Sequence, residues 1–140
     1  MLRQSSGRLH VRAPRQGLHD ISGEIVRWLD GQGVATGLLT IFCRHTSASL
    51  LIQENAAPAA KRDLENFFDR IAPEDPSLYS HDDEGPDDMP AHLRTALTQS
   101  QLSIPVEDGR MLLGTWQGIY LFEHRCQPSD REIALHLVGE

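Results

Sequence analysis

The sequence predicts one compact α+β domain in which largely antiparallel β-sheets pack with two to three helices. A chain of 140 residues is long enough for one hydrophobic core, and we expect residues 1–140 to form a single domain. Short apolar runs rich in strand-forming residues outnumber the helical patterns, and several of these runs are joined by short turns. This arrangement is typical of the α+β class.

The predicted strands share alternating or continuous apolar residues and cover 8–13, 37–43, 50–52, 102–106, 111–113, 119–125 and 133–138. Pro105 favours an edge position for its strand, because proline has no N–H to donate to a ladder. Asp108 and Gly109 are typical of a tight hairpin turn. The strands therefore follow one another closely in the second half of the chain.

Three helices are predicted between these strands. Asp20 is a good N-cap for the first helix, whose apolar residues recur at helical spacing up to Leu29. Pro58 opens the second helix and Pro73 ends it, and a third helix starts near Pro90. The acidic loop between the last two helices, residues 73–86, is closely punctuated by glycine and proline at its end, which favours an ordered loop.

The segment 114–125 is central to the predicted function. Because strand residues alternate between faces, one face carries Tyr120, Phe122 and His124, and the other carries Ile119, Leu121, Glu123 and Arg125. His124 therefore lies at the polar end of an apolar face, where a site can form. The alternative is a core strand that simply becomes solvated at its end.

Composition excludes several classes of function. The net charge of −7 argues against non-specific binding to nucleic acid. The two cysteines, Cys43 and Cys126, are too far apart in sequence to indicate a zinc–cysteine motif, and reduced thiols are expected. The first ten residues do not resemble a secretory signal, and no apolar run is long enough to span a membrane, so we expect a cytoplasmic protein without a membrane partner.

Four polar clusters follow apolar elements, and each contains one histidine: residues 45–47, 81–84, 87–92 and 123–125. If the fold brings them together, the resulting pocket can bind a divalent cation, most readily zinc, or transfer protons near neutral pH. No two histidines have the close spacing of a local metal motif. The alternative is a set of separate histidines at the surface or at an interface.

Other candidate residues have two interpretations each. Ser47 can be a hydrogen-bond donor or part of a turn, since no nucleophile-elbow motif surrounds it. Glu54 and Asn55 can orient a ligand or cap the following helix. Arg125 can hold a phosphate or carboxylate group, or it can pair with Glu123 or Asp130.

Three separated motifs, at 45–55, 84–92 and 114–125, resemble the YjbQ family in the same order along the chain. The resemblance implies a compact α+β domain, a homotrimer, and sites near subunit boundaries. It also implies a weak transferase activity of the thiamine-phosphate synthase type, which joins a pyrimidine pyrophosphate to a thiazole phosphate. The chain has no glycine-rich phosphate-binding loop of the usual kind.

The leading hypothesis is an enzyme-like pocket in a homotrimer, assisted by a divalent metal, that acts on a small phosphorylated molecule. The expected catalytic residues are His45, Asp87, His124 and Arg125, and the expected substrate-binding residues are Ser47, Glu54, Asn55 and Arg125. The expected metal ligands are His81, His92 and His124, with Asp87 or Asp88 orienting an imidazole or completing the metal shell. The alternatives are a non-catalytic trimer that binds a metal or small ligand, and a trimer that the histidines only stabilise.

Overall fold

A computed structural model describes residues 1–140 as eight strands and three α-helices. The strands are β1 Arg3–Ala13, β2 Gly17–Asp20, β3 Gly37–Cys43, β4 Ala48–Glu54, β5 Gln101–Glu107, β6 Arg110–Met111, β7 Gln117–Glu123 and β8 Ser129–Gly139. The helices are α1 Ser22–Asp30, α2 Pro58–Ile71 and α3 Asp88–Leu97, with a 3-10 turn at Pro76–Leu78. None of them combines the length and the apolar composition that a membrane-spanning helix needs.

The strands form two antiparallel sheets. One has five strands in the order β1-β8-β3-β5-β6, and the other has three in the order β2-β7-β4. The main core contains inward residues of both sheets, such as Ile41 of β3 and Leu50 of β4, and α1 adds Ile25 and Leu29. This arrangement confirms the predicted α+β class and the antiparallel pairing.

Strand β7 buries both of its faces. Ile119 and Leu121 belong to the main core, whereas Tyr120 and Phe122 belong to a second, smaller cluster with Phe68 of α2. The Phe68 and Phe122 rings meet edge to face, with 5.1 Å between their centroids. Helix α2 therefore covers the outer face of the three-stranded sheet, and the predicted alternation of β7 is confirmed.

The prediction that Pro105 marks an edge strand was wrong, because β5 lies between β3 and β6. The absence of an N–H still explains where the proline is tolerated. The Leu112 N–H donates to the Pro105 carbonyl, so the missing N–H of Pro105 faces the side of β6, which is only two residues long. The hairpin turn between these strands is confirmed, with φ of 52° at Asp108 and 75° at Gly109.

Candidate functional site

Four side chains that can bind a metal converge where the acidic loop meets the start of α3. They are His81, Glu84, Asp88 and His92, and one ligand atom from each lies within 4.8 Å of the others. The Asp88 Oδ2 atom is 2.9 Å from His81 Nε2 and 3.1 Å from His92 Nε2. The His81 Nε2 atom is also 3.2 Å from Glu84 Oε2. Asp88 is buried, whereas the other three side chains reach solvent, so an ion could enter this four-residue cluster.

Local structure explains the convergence. Asp88 and His92 are four residues apart on α3, which places them on the same face of the helix. Gly85 has φ of +100°, a conformation that favours glycine, and its carbonyl accepts a hydrogen bond from the Asp88 N–H at 3.3 Å. This turn places Glu84 and His81 beside the first turn of the helix.

The hydrogen bonds of His92 define which ring nitrogen faces the cluster. His92 Nδ1 lies 2.9 Å from the Thr46 carbonyl oxygen, which can only accept, so Nδ1 carries a proton. In the neutral ring, Nε2 then presents a lone pair to Asp88 Oδ2, which is also an acceptor. Two acceptors at 3.1 Å need a cation between them, either a proton or a metal ion. At His81, hydrogen bonds with Asp88 and then with Glu84 raise the pKa of the ring.

Arg125 holds the two aspartates at the start of α3. Its Nε donates to Asp87 Oδ2 at 3.0 Å, its Nη1 to Asp88 Oδ1 at 2.6 Å, and its Nη2 to the Glu84 carbonyl at 3.0 Å. Burial alone would raise the pKa of Asp87, but hydrogen bonds from the Cys126 N–H and from Arg125 outweigh burial and lower it. The guanidinium therefore orients Asp88, and its predicted contact with an anionic substrate stays a prediction.

His124 directly follows β7, on the face opposite to that of Glu123, and is fully buried. Its Nε2 is 2.9 Å from Ser49 Oγ, and its ring centroid is 4.4 Å from that of Phe122. Burial, followed by the charges of Arg94 and Arg131, lowers the pKa of His124 to about 3. The structure brings His81 and His92 together but leaves His124 outside the cluster, so its role as a metal ligand is a prediction that this geometry does not support.

A buried ion pair closes one end of the core between the sheets. Arg131 of β8 donates to both carboxylate oxygens of Glu123, and also to the Ser47 carbonyl at 3.2 Å. Both charged side chains are almost completely buried. Sequence reasoning missed this pair, although the inward alternation of Ile133 and Leu135 on β8 also places Arg131 inward.

An open cavity of about 630 Å³ adjoins the four-residue cluster. His92 belongs to both, and Arg44, His45, Thr46 and Thr95 also line the cavity. No carboxylate lines it, although the whole chain has a net charge of −7. A cationic side chain, two imidazoles and several hydroxyl groups without acidic residues favour an anionic ligand.

The remaining predicted substrate-binding residues lie elsewhere. Glu54 Oε2 accepts hydrogen bonds from the Ala56 and Ala57 N–H groups at 3.0 and 2.9 Å, just before α2 begins. Glu54 therefore stabilises the turn that leads into α2, but it does not cap the helix, because both N–H groups precede Pro58 and α2 has no side-chain cap. Glu54 and Asn55 line a separate cavity of about 320 Å³, so the structure does not bring them to the cavity that contains His45.

Known proteins match the chain along most of its length. The family described as UPF0047 protein YjbQ-like matches residues 7–140. This chain belongs to that family. A UPF0047 protein of Synechocystis sp. is 49% identical over 138 residues, covering 99% of this chain and 94% of that protein. YjbQ of Escherichia coli O157:H7 is 44% identical over 133 residues, covering 94% of this chain and 96% of that protein.

Solved structures of YjbQ-like proteins share the fold. A YbjQ-like protein of unknown function from Sulfolobus solfataricus P2 aligns over 100% of both chains with a TM-score of 0.91 at 24% identity. An uncharacterised family member from Clostridium acetobutylicum aligns with a TM-score of 0.81 at 32% identity, covering 91% of this chain and 96% of that chain. The predicted family and fold are confirmed, and these descriptions assign no activity.

Within this YjbQ-like fold, three of the four residues that converge in the cluster are ones that the sequence analysis named, and their role as metal ligands stays a prediction. His81 and His92 were predicted as ligands, and Asp88 was one of two candidates to complete the shell. Glu84 was not named as a ligand, since it is separated from α3 by a turn whose direction depends on Gly85. The signal that best marks the site is the four-residue spacing of Asp88 and His92 on one helix.

Proposed function

We propose that this protein binds a divalent cation, most readily zinc, at the cluster of His81, Glu84, Asp88 and His92. The observation that carries the proposal is the convergence of two imidazole nitrogens on Asp88 Oδ2, at 2.9 and 3.1 Å. The Thr46 carbonyl holds the Nδ1–H of His92, which leaves the lone pair of Nε2 available to a metal. A backbone carbonyl behind a ligating imidazole is a common outer partner in metal sites.

The donor set suits zinc. Zinc binds imidazole nitrogen and carboxylate oxygen, and a set of two histidines and one or two carboxylates leaves a position open for a water molecule or a substrate. Arg125 occupies Asp88 Oδ1 and so directs Oδ2 toward the histidines. Because zinc would replace protons in the cluster, its affinity is expected to fall as the pH falls.

We propose further that the cation acts on a small phosphorylated molecule in the adjoining cavity. A metal ion bound beside His92 could neutralise phosphate charge, while Arg44 and His45 contact the same anion. A transferase of the thiamine-phosphate synthase type fits this arrangement, because its pyrophosphate leaving group needs such neutralisation. The alternative is a binding protein that holds the metal or the ligand without turnover.

Elemental analysis tests the metal site. Purified, untagged protein loaded with zinc and then desalted should retain about one zinc per chain, and Asp88→Asn should weaken the affinity by at least about tenfold. Asp63→Asn, on the exposed side of α2, is the matched control and should bind as the wild type does. A zinc-free wild type after loading, or an Asp88→Asn variant with unchanged affinity, would contradict the proposal.

A turnover assay separates the two candidate functions. Pyrophosphate release from a pyrimidine pyrophosphate and a thiazole phosphate should depend on zinc and should be lost in Asp88→Asn. If zinc binds but no pyrophosphate is released, the transferase proposal fails and the binding protein is favoured.

We also propose that the protein is a homotrimer, as the family resemblance implies. The outer face of the five-stranded sheet supports this, because Leu38, Phe42 and Val138 are 42%, 45% and 38% exposed there. Leu38→Glu should reduce the mass measured by light scattering from three chains to one, whereas Val26→Glu on α1 should not. A wild type with the mass of one chain would refute the trimer.

A further inference from the structure

His45 has a ring orientation that its hydrogen bonds define. The Glu132 backbone N–H donates to His45 Nε2 at 2.7 Å. A backbone N–H cannot accept, so Nε2 is the unprotonated nitrogen and Nδ1 carries the hydrogen. Nδ1 has no protein partner and is not among the buried atoms that lack one. It is therefore an N–H donor that solvent or a ligand can reach.

The surroundings of His45 favour the neutral ring. Burial is the largest influence and lowers its pKa, and the charge of Arg131 acts in the same direction. A neutral imidazole with its only lone pair engaged by a backbone N–H cannot take a proton from a substrate unless that bond breaks. The predicted proton-transfer role of His45 is thus less consistent with the geometry than a donor role.

The cavity that His45 lines needs donors rather than acceptors if its ligand is an anion. Thr95 Oγ1, which belongs to another lining residue, is buried without a hydrogen-bond partner. Arg44 adds a guanidinium that is only partly engaged, through the contact of Nη1 with Glu132 at 2.9 Å. The N–H groups of His45 Nδ1 and of Arg44 can donate to a small anion in the cavity, whereas the Thr95 hydroxyl has no accessible surface and would have to move to do so.

We propose that His45 is a ligand-binding residue that donates its Nδ1–H to an oxyanion, such as a phosphate group, in this cavity. The inference deepens the proposed function, because it names how the phosphorylated ligand is recognised. It needs no metal in the cluster, so the two can succeed or fail separately. A donor at His45 Nδ1 also predicts that the cavity prefers ligands with an oxygen atom that accepts a hydrogen bond at this position.

Two amide substitutions separate the two nitrogens of the ring. In His45→Asn, the side-chain nitrogen lies near the position of Nδ1 and can still donate to the ligand. In His45→Gln, the side-chain oxygen can reach the position of Nε2 and still accept from the Glu132 N–H. The experiment measures binding of inorganic phosphate by calorimetry, and thermal unfolding, for the full-length wild type and both variants, with and without zinc.

The expected result is a crossed pattern. His45→Gln should bind phosphate about tenfold more weakly than the wild type and unfold at nearly the same temperature, because it loses the donor to an anion. His45→Asn should keep phosphate affinity within about threefold and unfold at a lower temperature, because the Glu132 N–H loses its acceptor. Nitrogen NMR of the wild type should show the hydrogen on Nδ1 of His45 and a shift of that signal on addition of phosphate.

Several outcomes would overturn the inference. They are a wild type that binds no phosphate, a His45→Gln variant with unchanged affinity, or an NMR spectrum in which the hydrogen lies on Nε2. The crossed pattern in a protein that binds no zinc would instead support the His45 inference and refute the metal proposal. Zinc binding without the crossed pattern would support the metal proposal and refute the His45 inference.

Discussion

Acid should destabilise this protein through His124 in particular. The ring is fully buried, its Nδ1 has no partner, and its Nε2 is engaged only with Ser49. The folded protein keeps this imidazole neutral down to a pKa of about 3, whereas an unfolded chain protonates it near 6.5. Replacing the ring by the neutral amide in His124→Gln removes this titration and retains a group that can contact Ser49.

The sign follows from proton binding. Between pH 6.5 and 3 the unfolded chain binds a proton at His124 that the folded protein does not, so stability rises with pH across this range. The contribution is complete above the unfolded pKa and is lost as the pH falls toward the folded one. Each pH unit below the unfolded pKa corresponds to about 1.36 kcal/mol. Acidification from pH 7.5 to 4.5 crosses about two such units, from 6.5 to 4.5, and should therefore remove about 3 kcal/mol through this single residue.

Urea unfolding at pH 7.5, 6.5, 5.5 and 4.5, at one fixed protein concentration, measures the effect. The free energy of unfolding of His124→Gln should change with pH by about 3 kcal/mol less than that of the wild type. His10→Gln, at an exposed position of β1, is the matched control and should follow the wild type. Parallel curves for the wild type and His124→Gln would refute the idea that His124 is a buried neutral ring.

Three further predictions concern the fold and the metal. Glu123→Gln leaves Arg131 buried without its ion-pair partner and should lower the free energy of unfolding by about 3–5 kcal/mol in urea, whereas replacing both residues by Leu and Met should lower it less. Gly109→Ala, at φ +75°, should lower it by about 1 kcal/mol, and Gly31→Ala, at φ −72°, should change it by less than about 0.5 kcal/mol. Chelation should lower the melting temperature of the zinc-loaded protein, because zinc at 100 times its dissociation constant stabilises the folded state by about 2.7 kcal/mol; an unchanged melting temperature would contradict the metal site.

Local patterns in the sequence were sufficient for several elements. The continuous apolar run of β3 and the proline that opens α2 predicted the observed Gly37–Cys43 and the observed start at Pro58. The alternation along β7 predicted correctly which residues enter each core cluster. These features depend on residues close in sequence, whose periodicity follows from backbone geometry alone.

Features that depend on long-range pairing could not be predicted in the same way. The position of β8 between β1 and β3 is one example, because its partners are separated from it by most of the chain. The contact of Arg131 with Glu123 depends on how the two sheets face each other. The convergence of His81 with His92 likewise depends on the path of the acidic loop.

The end of β7 explains why three consecutive polar residues serve three different parts of the molecule. Strand alternation directs Glu123 inward to Arg131, between the sheets, and directs His124 to the opposite face, toward Ser49. Arg125 lies two residues beyond the end of β7, where strand alternation no longer fixes its direction. Its long side chain reaches Asp88 at the start of α3. The histidine at the end of the apolar strand face is therefore a buried residue next to the candidate cluster and not a member of it. The residue that reaches the four-residue cluster is its neighbour, because alternation keeps His124 in the core.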